Sequence, residues 1–220
     1  MKSNKNSGAN IFTPGAKPIE AINRLIEVCR PCGTLIDTHA TLTDLSLTGT
    51  NGEQQVLVLL EGVLSIIRNS DQLLYAVVPG PTFIGVLASD YRKHINSFYA
   101  MKGSVVMMLP RDTVIELITK HGLVRELLDY YRYINDYQNY LADLMISRST
   151  YEIVCGLLNE LALLPPESRK TISVSNYIVN RTHLARSGIM KMLSDLRLGG
   201  YIDIQNGKLK EIKKTFPAKY

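Results

Sequence analysis

Residues 173–214 read SVSNYIVNRTHLARSGIMKMLSDLRLGGYIDIQNGKLKEIKK, and this stretch decides the fold. Ser173 or Ser175 offers an N-cap oxygen, so a short helix is expected over 175–179. Asn180 tolerates left-handed backbone and predicts the turn that follows. Thr182 is a good N-cap for a second helix over 183–197, stopped by Gly199-Gly200. Ala185, Ile189, Met192 or Leu193, and Leu196 give that helix its inward stripe. Asn206-Gly207 then marks a two-residue hairpin whose Ile202, Ile204, Leu209 and Ile212 turn inward. Short helix, tight turn, longer basic helix and hairpin are, in that order, the parts of a winged helix-turn-helix.

Such a module reads DNA with the start of its second helix. The candidate DNA contacts are therefore Arg181, Thr182, His183, Arg186, Ser187 and Lys191, with Lys208 and Lys210 on the wing. Arg grips guanine through two bonds, and His, Thr and Ser reach base edges or phosphates. A solvated basic face is the competing reading for any one of these residues.

The charge distribution favours phosphate. The chain carries +5 in 220 residues, and residues 151–220 hold eleven Lys/Arg against six Asp/Glu. Residues 1–150 balance at fourteen of each. From Arg169 onward the balance is +8. A segregated basic end beside a helix-turn-helix pattern is an electrostatic footprint for nucleic acid.

Upstream, the texture separates three further segments. Residues 1–16 are rich in Asn, Ser, Lys and Gly and are expected to be a disordered tail. Residues 17–30 place Ile19, Ile22, Leu25, Ile26 and Cys29 at helical spacing. Runs at 34–37, 55–60, 63–68, 73–79 and 97–109, punctuated by Gly, Pro, Asn and Asp, read as the strands of an antiparallel sandwich or roll, giving a domain over 17–121. After a short helix at 113–120, a long one is expected over 123–149, within a linking segment 122–149. Its Leu127, Tyr130, Ile134, Tyr137, Leu141 and Leu144 recur at heptad a/d spacing and are the candidate homodimer seam. Leu128, Tyr131 and Met145 widen this stripe, so packing within one subunit is the alternative. Another helix over 151–164, ended by Pro165-Pro166, opens the last domain, 150–220.

Three cysteines, Cys29, Cys32 and Cys155, argue against a disulfide framework. Cys29-Arg-Pro-Cys32 has C-x-x-C spacing and is a candidate redox pair. The alternative makes Cys29 a core residue and Cys32 a loop residue. An iron–sulfur cluster lacks a fourth thiolate, and His39, His94, His121 and His183 show no paired spacing for zinc, so no metal and no cofactor is expected. No nucleophile–base pair or phosphate-binding glycine loop points to an enzyme. The best apolar run, Val56 to Ile67, is broken by Glu61-Gly62, and no run suits a bilayer; a cytoplasmic protein is expected.

LLEGVLSIIRNSDQLLYAVVPGPTFIGVL, with Gly62, Gly80, Phe83, Ile84 and Gly85, and the MKML at 190–193 resemble the catabolite activator/fumarate-nitrate regulator superfamily. LEGVLSIIR, NYIVNRTHLARS and NGKL more narrowly resemble the enterobacterial inhibitor-of-hydrogen-peroxide-resistance family of winged-helix regulators. The resemblance implies an α+β chain: an N-terminal β-roll of cyclic-nucleotide-binding type, a long dimerisation helix and a C-terminal winged helix-turn-helix. It also implies what is missing. Cyclic-AMP-binding members follow the Gly-x-Phe-Ile-Gly element with a Glu for the ribose, and this chain has Val86. Their phosphate-binding Arg-Ser pair falls on Ile95 and Asn96, with Arg92, Lys93 and His94 out of register. A cyclic phosphate would lack its charge partner.

The expectation is a homodimeric transcriptional regulator of double-stranded DNA that does not answer to cyclic AMP, has RNA polymerase as a further partner and is linked to oxidative stress. The alternative is a ligand- or redox-gated sensor.

Overall fold

A computed structural model describes residues 15–38, 42–89 and 94–217. Residues 1–14 of the tail expected over 1–16, together with His39, Arg92 and Lys93, lie outside the described residues. The chain divides into two compact units, one of residues 16–135 and one centred on residues 136–217.

The first unit opens with α1 (Ile19–Cys29), which buries Ile22, Leu25, Ile26 and Cys29 along one face. Two four-stranded antiparallel sheets follow. β1 (Thr34–Ile36), β8 (Val105–Pro110), β3 (Gln55–Glu61) and β6 (Thr82–Ile84) form one, in the spatial order β1-β8-β3-β6. β2 (Leu42–Leu45), β7 (Asn96–Met101), β4 (Val63–Arg68) and β5 (Leu73–Pro79) form the other, in the order β2-β7-β4-β5.

β3 shows how the sequence builds the roll. Val56, Leu57, Val58 and Leu59 are all fully buried. Successive side chains point to opposite faces. Val56 and Val58 therefore join the cluster containing α1, while Leu57 and Leu59 join a second cluster with Leu45, Leu64 and Phe98 of the other sheet. A strand covered on both sides reads as a continuous apolar run rather than an alternating one.

The strand expected over 97–109 is two strands. It breaks at Lys102-Gly103, where Gly103 has φ +80°, and its halves lie in different sheets. The short strands β2 and β6 had no sequence signal beyond their Leu, Thr, Phe and Ile content. The resemblance glycines have steric reasons. A Cβ on Gly62, at φ +91°, would stand 2.7 Å from the Ser104 Cα; one on Gly85, at φ +106°, would stand 2.6 Å from the Gln55 carbonyl oxygen.

α2 (Arg111–Lys120) and α3 (Val124–Met145) complete this unit, and the division between units falls within α3. The second unit continues with α4 (Thr150–Leu163). Ser149 caps α4 through a capping box: its hydroxyl accepts from the Glu152 N–H at 3.2 Å, and Glu152 accepts from the Ser149 N–H at 2.8 Å. A short α5 (Pro166–Arg169) leads to α6 (Val174–Thr182), α7 (Arg186–Leu198) and a hairpin of β9 (Ile202–Gln205) and β10 (Lys208–Ile212). Asn206 and Gly207 both take positive φ, 52° and 74°, as a two-residue hairpin turn requires.

Among the described residues no helix is long and apolar enough to cross a membrane, and no group of three His, Cys, Asp or Glu side chains is placed to hold a metal ion.

Candidate nucleic-acid interface

The turn between α6 and α7 falls three residues later than its sequence suggests. Asn180 stays helical, and His183 takes the left-handed conformation at φ 55°. Thr182 ends α6: its hydroxyl donates to the Ile178 carbonyl at 2.7 Å and accepts from the Leu184 N–H at 3.2 Å. α7 therefore begins at Arg186, with Ile189, Leu193 and Leu196 buried beneath it.

This shift divides the eight candidate DNA contacts. Arg186, Ser187 and Lys191 lie exposed on the first turns of α7, and His183 is exposed in the turn itself. Thr182 is half-buried. Lys210 is exposed on the wing, and Lys208 donates to the Thr171 carbonyl at 2.7 Å.

Arg181 is a correction. It points inward, 3% exposed, and its guanidinium reaches both Glu160 carboxylate oxygens, at 3.2 and 3.0 Å. On its face of α6 Arg181 meets α4 through Glu160 and is withdrawn from the exposed surface. Burial opposes the guanidinium's charge, and the Glu160 carboxylate, together with Tyr177 and Tyr137 beside it, more than offsets that opposition and keeps it protonated. Tyr137 donates to the same carboxylate at 2.6 Å. Burial, and then the Glu160 charge, push the phenols of Tyr137 and Tyr177 well above their ordinary value. Glu160 had no sequence signal: a lone Glu in an apolar helix becomes interpretable only when its partner from α6 is seen.

The free end of α7 is electrostatically positive. Its N-cap, Ala185, has no side-chain oxygen to satisfy the first N–H groups, and no acidic residue stands in its first turn. Arg186 at this end opposes the helix dipole, which costs about 0.3–1 kcal/mol in isolation. An anionic partner reverses that sign. Asn176, in the first turn of α6, accepts from Arg186 Nη2 at 2.6 Å. Sequence reading missed Asn176, because a polar residue on an exposed helix face carries no signal by itself.

The six residues of the candidate dimer seam are taken up largely within the chain itself. Tyr130 is 1% exposed and belongs to the roll's apolar cluster, with Leu127 and Ile134 packed on it. Tyr137 engages Glu160, and Leu141 and Leu144 are buried. All six residues thus serve their own chain. The heptad offset by one residue, Val124, Leu128, Tyr131, Asn135, Gln138, Ala142 and Met145, is exposed or half-exposed throughout.

Val86 lies in the apolar core of the roll. Val86 is 3% exposed in the same apolar cluster as Phe83 and Tyr130. The Tyr130 hydroxyl gives its proton to the Phe83 carbonyl at 2.6 Å and accepts from the Phe83 N–H at 3.2 Å; the Thr82 hydroxyl lies at 2.7 Å. Tyr131 accepts from the Leu87 N–H at 3.1 Å. Ile95 is exposed and Asn96 begins β7, so neither position offers a cation. Cys29 is buried at the end of α1, its thiol pushed up to about 11 by burial and the neighbouring Cys32, which is itself exposed.

These features define a chain with the fold of the catabolite activator/fumarate-nitrate regulator superfamily and a C-terminal winged helix-turn-helix of DNA-binding type. Residues 150–218 match the family described as winged helix-turn-helix DNA binding. The chain is similar to the inhibitor of hydrogen peroxide resistance of Escherichia coli (strain K12), at 28% identity over 93% of this chain and 98% of that protein. Its fold matches the c-di-GMP-responsive global regulator CLP of Xanthomonas campestris, with TM-score 0.66, 13% identity and coverage of 87% of this chain and 100% of that one. A CRP-family transcriptional regulator of Thermus thermophilus matches with TM-score 0.56 and 21% identity, over 82% and 92%.

Proposed function

We propose that the protein binds a pseudo-palindromic DNA site as a cytoplasmic homodimer, without cyclic AMP, and acts on RNA polymerase at promoters of an oxidative-stress response. The observation that carries DNA recognition is the exposed, basic start of α7, where Arg186, Ser187 and Lys191 are all exposed. The offset heptad supports the dimer. Leu128, 53% exposed, and Val124 supply apolar contact, and Asn135 at its centre is the kind of polar residue that fixes register and oligomer state. Two-fold symmetry then sets the α7 helices about 34 Å apart, one DNA turn. The buried Val86 and the Tyr130 and Tyr131 bonds support independence from cyclic AMP, because the place of a ribose-binding acid is apolar core. The stress assignment rests on the name of the Escherichia coli relative.

The test is selection of a duplex from a random library by the full-length protein, followed by anisotropy titrations with and without cyclic AMP. The expected result is an enriched inverted repeat bound equally in both. Failure to enrich any site would reject the reading.

A further inference from the structure

We infer that Asn176 is a specificity-determining residue: from α6 it positions the Arg186 guanidinium for guanine. This rests on the DNA-binding reading above. Arg186 Nη2 lies 2.6 Å from Asn176 Oδ1, across ten residues and the whole turn. Arginine only donates, so the Asn176 amide must present its oxygen to Arg186 and its NH2 group outward. Both side chains are exposed at the surface where α7 begins.

An exposed arginine loses rotamer freedom on binding, and that loss opposes readout. A partner on a second, rigid helix removes part of the cost before DNA arrives. One Nη2 hydrogen goes to Asn176. The other Nη2 hydrogen and the Nη1 group remain for the two acceptors on a guanine edge, O6 and N7. Asn176 therefore acts through Arg186 and sharpens one base pair in each half-site without adding net charge.

The experiment uses the full-length protein, a duplex selected by the wild type, all single base-pair variants of it, and a scrambled duplex. Arg186→Ala should flatten preference at one base pair of each half-site, by about tenfold. Asn176→Ala should flatten the same base pair several-fold, while affinity for the scrambled duplex and the salt slope stay at wild-type values. The double variant should match Arg186→Ala alone, because the two residues act as one unit. Asn176→Asp retains the acceptor and should retain the preference. Melting temperatures within a degree or two of wild type would separate these effects from misfolding.

An unchanged base profile for Asn176→Ala, beside a flattened one for Arg186→Ala, overturns the inference and leaves DNA binding standing. Loss at every base pair alike overturns it too, since that is a loss of general affinity. A wild type that selects no duplex overturns this inference and the proposed function together.

Discussion

The Arg181 guanidinium lies 3.0 Å from the Glu160 carboxylate, with 2% and 7% of the two side chains exposed. This pair ties α6 to α4, and Tyr137 ties the end of α3 to the same carboxylate. Removing one partner leaves the other charge buried and unmatched, which costs about 3–5 kcal/mol. Arg181→Ala should therefore lower the melting temperature of the winged-helix unit sharply, and Glu160→Leu with Arg181→Met should recover much of it. Calorimetry checks both. A stable Arg181→Ala protein with weakened DNA binding would instead return Arg181 to the DNA-facing set.

The two heptad stripes of α3 predict opposite outcomes for adjacent residues. Leu128→Glu should give a folded monomer by sedimentation velocity. Leu127→Glu should unfold the roll, because Leu127 packs on its apolar cluster. A dimeric Leu128→Glu protein would place the interface elsewhere.

Tyr130→Phe removes a hydroxyl that satisfies buried groups of Thr82 and Phe83, with an expected cost of about 1–3 kcal/mol. Tyr131→Phe frees one amide at the surface and should cost less. Urea denaturation gives the order, and faster hydrogen exchange at Leu87 should mark the second variant. Burial pushes the Tyr131 phenol up to about 12. Its folded-state value is raised, so its contribution to stability is full below pH 10, the unfolded value, and is lost as pH climbs through 12.

Thiol labelling separates the three cysteines. Cys29 and Cys155 are buried, and their thiols are raised to about 11, burial being the larger cause for each. At pH 8 iodoacetamide should modify Cys32 alone, with the other two reacting only as pH nears 11 or the chain unfolds. A Cys29–Cys32 disulfide forming on peroxide treatment at neutral pH, seen as a 2 Da mass loss, would instead make the pair a redox input.

The β-roll was legible because its fully buried strands are apolar runs broken by Gly and Pro, and the wing because Asn206-Gly207 fits only one kind of turn. The start of α7 was not. Asn180 has the better left-handed propensity, yet the helix continues to Thr182, where Arg181 meets Glu160 and Thr182 closes on Ile178. Propensity lost to a partner that lies 21 residues away in sequence. The heptad in α3 was legible as a period, but two stripes one residue apart share it. The more apolar one covers its own chain, and only packing reveals that.

The central claim is that α7 reads DNA without a nucleotide. Titrating nucleotide-free, full-length protein into its selected duplex across a range of salt concentrations tests it most directly. The account predicts a dissociation constant of about 10 nM or tighter at physiological salt, weakening steeply as salt rises and unmoved by cyclic AMP. Binding that is insensitive to salt, or that emerges only when cyclic AMP is added, would contradict it.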